Sequence, residues 1–168
     1  MKFWRIVMTS TFGKQLKLYA DRQTGAKRTA LDFQYVVSPG KDAFPTVNIT
    51  MAPIADGAKE AQWELKRVIQ LNRYELTQCC AVLFGLEKEM RANFHGTDKN
   101  KGFTLINNGA SGCGINFSHG GDMLTHMLNH AQRMEVGAFI LKRQADAWDM
   151  SVSDVLALLR QSVAIKRA

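Results

Sequence analysis

Long hydrophobic runs are missing from this sequence. No stretch of about 18 apolar residues occurs, so no membrane-spanning helix is expected. The opening Met1-Lys2-Phe3-Trp4-Arg5 has neither an apolar core segment nor a small-residue cleavage site. It does not read as a secretory signal, and an intracellular, cytoplasmic or nucleoid-associated protein is expected. Cysteine is scarce and odd in number: Cys79, Cys80 and Cys113. The first two are adjacent in a helical pattern and would bridge only with strain, so reduced, buried thiols are expected. Signatures of catalysis are missing too. Gly109–Gly114 lacks the Gly-Lys-Ser/Thr of a phosphate loop and leads into a strand, so it reads as a hairpin. His126 and His130 stand four apart, after Asp122, a spacing that suits one face of a helix. The Glu of a His-Glu-x-x-His pair is absent, and no cysteine lies at ligand spacing. No Ser/His/Asp order or carboxylate pair stands out. The expectation is a non-enzymatic protein with no metal and no cofactor.

Acidic residues are also missing where they would matter for charge. Residues 1–30 hold Lys2, Arg5, Lys14, Lys17, Arg22, Lys27 and Arg28 against Asp21 alone, which is +6 of a formal net charge of +7. Positive charge concentrated this way attracts polyanions, either nucleic acid or an anionic membrane surface. Apolar residues make up 46% of the chain, enough to build a packed core and to exclude global disorder.

The first half of the chain reads as strands. Phe3–Thr9 is short, β-branched and aromatic. Gln15–Asp21 sets Leu16, Leu18 and Ala20 against Lys17, Tyr19 and Asp21. Leu31–Ser38 sets Leu31, Phe33, Tyr35 and Val37 against Asp32, Gln34 and Val36. Thr46–Pro53 sets Val47, Ile49 and Met51 against Thr46, Asn48 and Thr50. This period of two predicts half-buried antiparallel strands with one face free for solvent or ligand. A further strand is expected over Trp63–Asn72. Asn72, with Glu75 three residues on, predicts a capped helix that Gly85 can end. Three more strands are expected at Met90–Phe94, Gly102–Asn107 and Gly114–Ser118. Asp122 is then expected to cap a long helix with Leu124, Met127, Leu128, Ala131, Met134, Ala138, Phe139 and Leu141 along its apolar stripe. Ser151 is expected to cap a short helix to about Gln161, leaving a frayed basic tail. The fold class is α+β: two antiparallel sheets, each followed by a helix.

Residues 46–122 resemble the Whirly family of single-stranded-DNA-binding proteins, related to the PC4-like fold and to kinetoplastid mitochondrial guide-RNA-binding proteins. The resemblance rests on order. Thr46–Pro53 looks like the family's strand ending in Ala-Pro, and Trp63–Leu71 like its Trp-bearing basic strand. Arg73-Tyr74-Glu75-Leu76 opens the first helix as the family's Thr-Glu does. Phe94-His95-Gly96-Thr97-Asp98-Lys99 resembles its Phe-His-Asp-Pro-Asn-Lys segment, and Gly109–Phe117 its glycine-rich hairpin running into an aromatic-Asn strand. The basic Lys-Gly-Lys-Ala-type motif of plant members is absent; Pro39–Ala43 only echoes it. The resemblance implies a ββββα repeat with a long C-terminal helix over residues 1–150; the strand Phe3–Thr9 and the short helix and basic tail over 151–168 look like elements added to the family's pattern. It also implies a homotetramer, with long helices meeting centrally and sheets projecting like blades.

Binding that ignores sequence needs cations along the phosphates and flat side chains against the bases. The residues expected to serve are Arg5, Lys14, Lys17, Tyr19, Lys41, Trp63, Lys66, Arg67, Phe94, Lys99 and Lys101. Buried core aromatics and solvated lysines are the plainer alternatives for each. The leading expectation is single-stranded DNA binding in replication, recombination or repair. The alternatives are an RNA-binding or annealing protein of the same fold, or an assembly protein with a basic face.

Overall fold

A computed structural model of the chain describes residues 12–20 and 27–168. The expected strand Phe3–Thr9 lies outside these residues. Among the described residues, eight strands form two four-stranded antiparallel sheets in simple sequential order. The first sheet holds β1 (Phe12–Tyr19), β2 (Arg28–Val37), β3 (Pro45–Ile54) and β4 (Arg67–Gln70). Helix α1 (Arg73–Leu83) follows it. The second sheet holds β5 (Glu89–His95), β6 (Lys101–Asn107), β7 (Cys113–His119) and β8 (Asp122–Leu128). Helices α2 (His130–Trp148) and α3 (Val152–Arg167) close the chain.

The alternation read from the sequence sets the layering. Leu31, Phe33, Val47, Ile49 and Met51 point into one core with Phe103, Leu105, Ile115 and Phe117 of the second sheet, and α1 and α2 add Leu76, Leu83 and Ile140. Apolar side chains on one face of each sheet can leave water only against each other or against a helix. The helix predicted at Asn72 is present with both halves of its capping box: Asn72 Oδ1 accepts from the Glu75 amide, and Glu75 Oε1 accepts from the Asn72 amide.

Three expectations need correction. Trp63–Asn72 is not one strand. Trp63–Leu65 forms a 3₁₀ turn, and only Arg67–Gln70 pairs with β3. The Leu65 amide donates to the Gln62 carbonyl and the Lys66 amide to that of Trp63, closing that turn before the chain can extend. Asp122 does not open a helix. Gly120 and Gly121, at φ of 59° and 94°, make a two-residue hairpin turn that returns the chain from His119 to Asp122. Met123–Leu128 therefore pairs with β7, with His126 and Leu128 inward and Met123, Thr125 and Met127 outward. The long helix starts at His130 behind a second capping box, Asn129 with Gln132. His126 and His130 thus do not share a helix face. Finally, α3 runs to Arg167 and not to Gln161, because Val155 and Leu159 anchor it in the core and Lys166 pairs with Glu87 at 2.6 Å.

Candidate nucleic-acid interface

Strand register decides what each outer face presents. On the first sheet Gln15, Gln34, Asn48 and Gln70 line up across all four strands, and Gln70 Nε2 donates to Asn48 Oδ1 at 3.1 Å. The next row is Lys17, Asp32, Thr50 and Val68; the one after is Tyr19, Ala30 and Ala52. On the second sheet the equivalent row is Arg91, Thr104, Asn116 and Thr125, where Thr125 Oγ1 donates to Asn116 Oδ1 at 3.0 Å. The outer face of the first sheet therefore carries a row of amides beside Lys17 and the buried Asp32, with small buried side chains next to them, and that of the second carries Arg91, hydroxyls and an amide. Such faces can meet base edges and ring faces without a large desolvation penalty.

Lys17 and Tyr19 stand exposed on the outer face, and the Lys17 ammonium lies 5.1 Å from the centre of the Trp63 ring. The 3₁₀ turn thus brings a half-buried indole over to the β1 edge. Lys14 is exposed on β1, Lys41 in the β2–β3 turn, and Lys66 just after the 3₁₀ turn. Arg5 lies outside the described residues.

Arg67 and Lys101 are placed differently. Arg67 falls in register with Met51, on the core side, and its Nη1 donates to the carbonyls of Phe117 at 2.9 Å and Asp122 at 2.7 Å. Lys101 Nζ reaches the Val68 carbonyl at 3.4 Å. Both cations tie the edge of the first sheet to the second.

Phe94 and Lys99 sit at the tip of the β5–β6 hairpin. A register shift between Ala92 and His95 bulges the strand, so that Phe94 takes φ of 61° and leaves 79% of its surface exposed. A bulky residue in the left-handed region is strained, and the surroundings must hold it there. His95 does so: its Nε2 lies 2.9 Å from both carboxylate oxygens of Glu75, the capping residue of α1. The sequence reading passed over this link, and over Arg133 of α2, whose buried guanidinium donates only to backbone carbonyls. The only advance signal for the first was Glu75 at the capping position.

The three thiols are buried and free of disulfides. Burial pushes Cys80 up to about 12 and also raises Cys79 and Cys113, so none is poised as a nucleophile. Among the described residues, no helix is long and apolar enough to cross a membrane.

No family model matches the chain, and no curated protein matches it in sequence. Solved structures do match in shape. That of the plant transcriptional regulator PBF-2, a Whirly protein, superposes with a TM-score of 0.59 at 16% identity, covering 81% of this chain and 90% of that one. The fold is Whirly-like. A second structure, of trypanosomal MRP1/MRP2, superposes with a TM-score of 0.53 at 11% identity, covering 80% of this chain and 93% of the other. The Whirly-like fold thus accounts for both sheets and for the helix behind each of them.

Proposed function

We propose that this Whirly-like chain binds single-stranded nucleic acid, with little sequence preference and no catalytic step. The observation that carries this reading is the pair of flat outer faces. Each holds a row of polar side chains across the sheet, uncharged on the first sheet and ending in Arg91 on the second, with cations and aromatics near it such as exposed Lys17 and Tyr19 with half-buried Trp63, or Lys99 with Phe94. Cations that follow phosphates and rings that stack on base faces tolerate any base, whereas base-specific readout needs donors and acceptors set against particular base edges. Single-stranded DNA, in replication, recombination or repair, is the leading ligand. RNA is its close variant, since neither face presents an arrangement that selects for or against a 2′-hydroxyl. Similarity of shape to a plant transcriptional regulator supports a nucleic-acid role. In the same reading, protomers assemble as a tetramer through the helices, and α3 is an appended element.

Fluorescence anisotropy with labelled single-stranded DNA, RNA and duplex, each at several salt concentrations, tests this. Preference for single strands with a steep salt dependence supports it. Equal weak binding to all three, or no binding, overturns it. Mass measurement by light scattering checks the tetramer.

A further inference from the structure

We infer that Tyr74 and Phe94 form a two-residue stacking station for unpaired bases where the first helix meets the second sheet, with His95 as its positioning residue. The inference rests on the single-strand reading above and names a site within it that register alone does not reveal.

Tyr74 and Phe94 are 74% and 79% exposed, more than any other large apolar side chain among the described residues. Each ring offers a flat apolar face that a stacked base would cover. Each directly precedes one half of the Glu75–His95 pair, whose atoms are 2.9 Å apart, so that pair holds the two segments that carry the rings beside one another. The Asn72 cap fixes Tyr74 on the first turn of α1 by accepting its amide at 3.0 Å. Phe94 is held outward by the bulge and its positive φ.

The surroundings suit a polyanion threaded past two rings. Arg73 stacks 5.1 Å from the Phe44 ring beside Tyr74, and Lys99 stands exposed on the same hairpin as Phe94. Asp42 and Asp98 are exposed acids of the same segments, while the Glu75 carboxylate is buried and hydrogen-bonded to His95 and to the Asn72 amide. The Lys101–Val68 contact places this station where the edge of the first sheet meets the second. A strand leaving one outer face would pass here on its way to the other. A base fits better than a second protein copy, because stacking on single exposed rings needs little buried area.

The test is titration of labelled (dT)₂₀ and a matched RNA into the full-length protein and its variants. Tyr74→Ala and Phe94→Ala are each expected to weaken binding about tenfold, leaving the oligomeric mass unchanged. His95→Ala should match Phe94→Ala and add little on top of it, and His95→Gln, which can still donate to Glu75, should restore most of the loss. Full affinity in Tyr74→Ala and Phe94→Ala, or additive loss on combining His95→Ala with Phe94→Ala, overturns the inference while the single-strand reading stands. Dissociation of the oligomer by Tyr74→Ala would assign the ring to a subunit contact and also overturns it. Wild-type protein that ignores single strands altogether removes the wider reading as well.

Discussion

The Nε of Arg133, buried in α2, donates to the carbonyl of Leu83 at the end of α1, 2.8 Å away. Its Nη2 reaches the Val82 carbonyl at 3.4 Å, and its Nη1 the carbonyls of Gly109 at 2.9 Å and Gly112 at 3.5 Å. The cation therefore caps the negative end of α1 and fastens it to the β6–β7 connection. Removing it takes the donor from the Leu83 carbonyl, leaves those of Val82, Gly109 and Gly112 with their backbone donors alone, and empties the buried space of the side chain. Arg133→Ala is expected to cost about 3 kcal/mol. Arg133→Lys should recover only part of that, because an ammonium cannot present a planar fork. Urea unfolding of the three proteins checks both values.

Gly112 has φ of 101°, and a Cβ there would sit 1.9 Å from the Leu128 carbonyl oxygen. The backbone of β8 would have to retreat. Gly112→Ala is expected to lose more than about 3 kcal/mol or to fail to fold. Gly57 also has positive φ, 74°, but a Cβ there meets nothing within 4 Å. Gly57→Ala should cost only about 1 kcal/mol, the conformational strain alone. Thermal melts of the pair separate steric clash from strain.

Lys17 and Arg67 should part company in binding and stability. Lys17 is exposed on the outer face, so Lys17→Glu is expected to weaken single-strand binding uniformly across sequences with little change in stability. Lys17→Gln should lower the salt slope by about one contact. Arg67→Gln should instead destabilise the fold by about 1–3 kcal/mol, because its guanidinium is committed to the Phe117 and Asp122 carbonyls. Affinity against salt, read beside denaturant midpoints, tests the division. A large loss of salt slope in Arg67→Gln at full stability would contradict it.

Stability should fall on the alkaline side. Burial, reinforced by Asp146 and opposed by Arg143, pushes the Tyr35 hydroxyl up to about 12, and burial does the same to Cys80. A group whose folded value is raised contributes stability in full below its unfolded value and loses it as pH rises towards the folded value. The window therefore opens near pH 9 to 10 and closes near 12. Denaturant midpoints measured from pH 7 to 11 should decline above 9. Cys80→Ser should soften the thiol part of that decline, and a flat profile would refute the assignment. In native protein at pH 8 the thiols should resist a disulfide reagent until denaturant is added.

Much of the fold was legible along the chain. Period-two alternation in Leu31–Val37 and Thr46–Pro53 placed β2 and β3, because one face of each strand has to leave water. The Asn72–Glu75 pair announced α1, because capping is a local exchange of hydrogen bonds within four residues. Met123–Leu128 misled, because Met and Leu suit helices. The double glycine turn and the pairing with β7 decide that segment, and pairing energy comes from residues elsewhere in the chain. The sequence also counted Arg67 and Lys101 with the exposed cations. Only the approach of the two sheets turned both towards carbonyls of the opposite sheet. By itself, then, the sequence determined the elements and their amphipathic faces, together with the excess of positive charge, all of which depend on neighbours a few positions away. Tertiary structure decided which cations remain free, which polar side chains align into rows, and that Glu75 of α1 meets His95 of β5. Those depend on contacts between residues about 20 to 50 positions apart, which local periodicity does not encode.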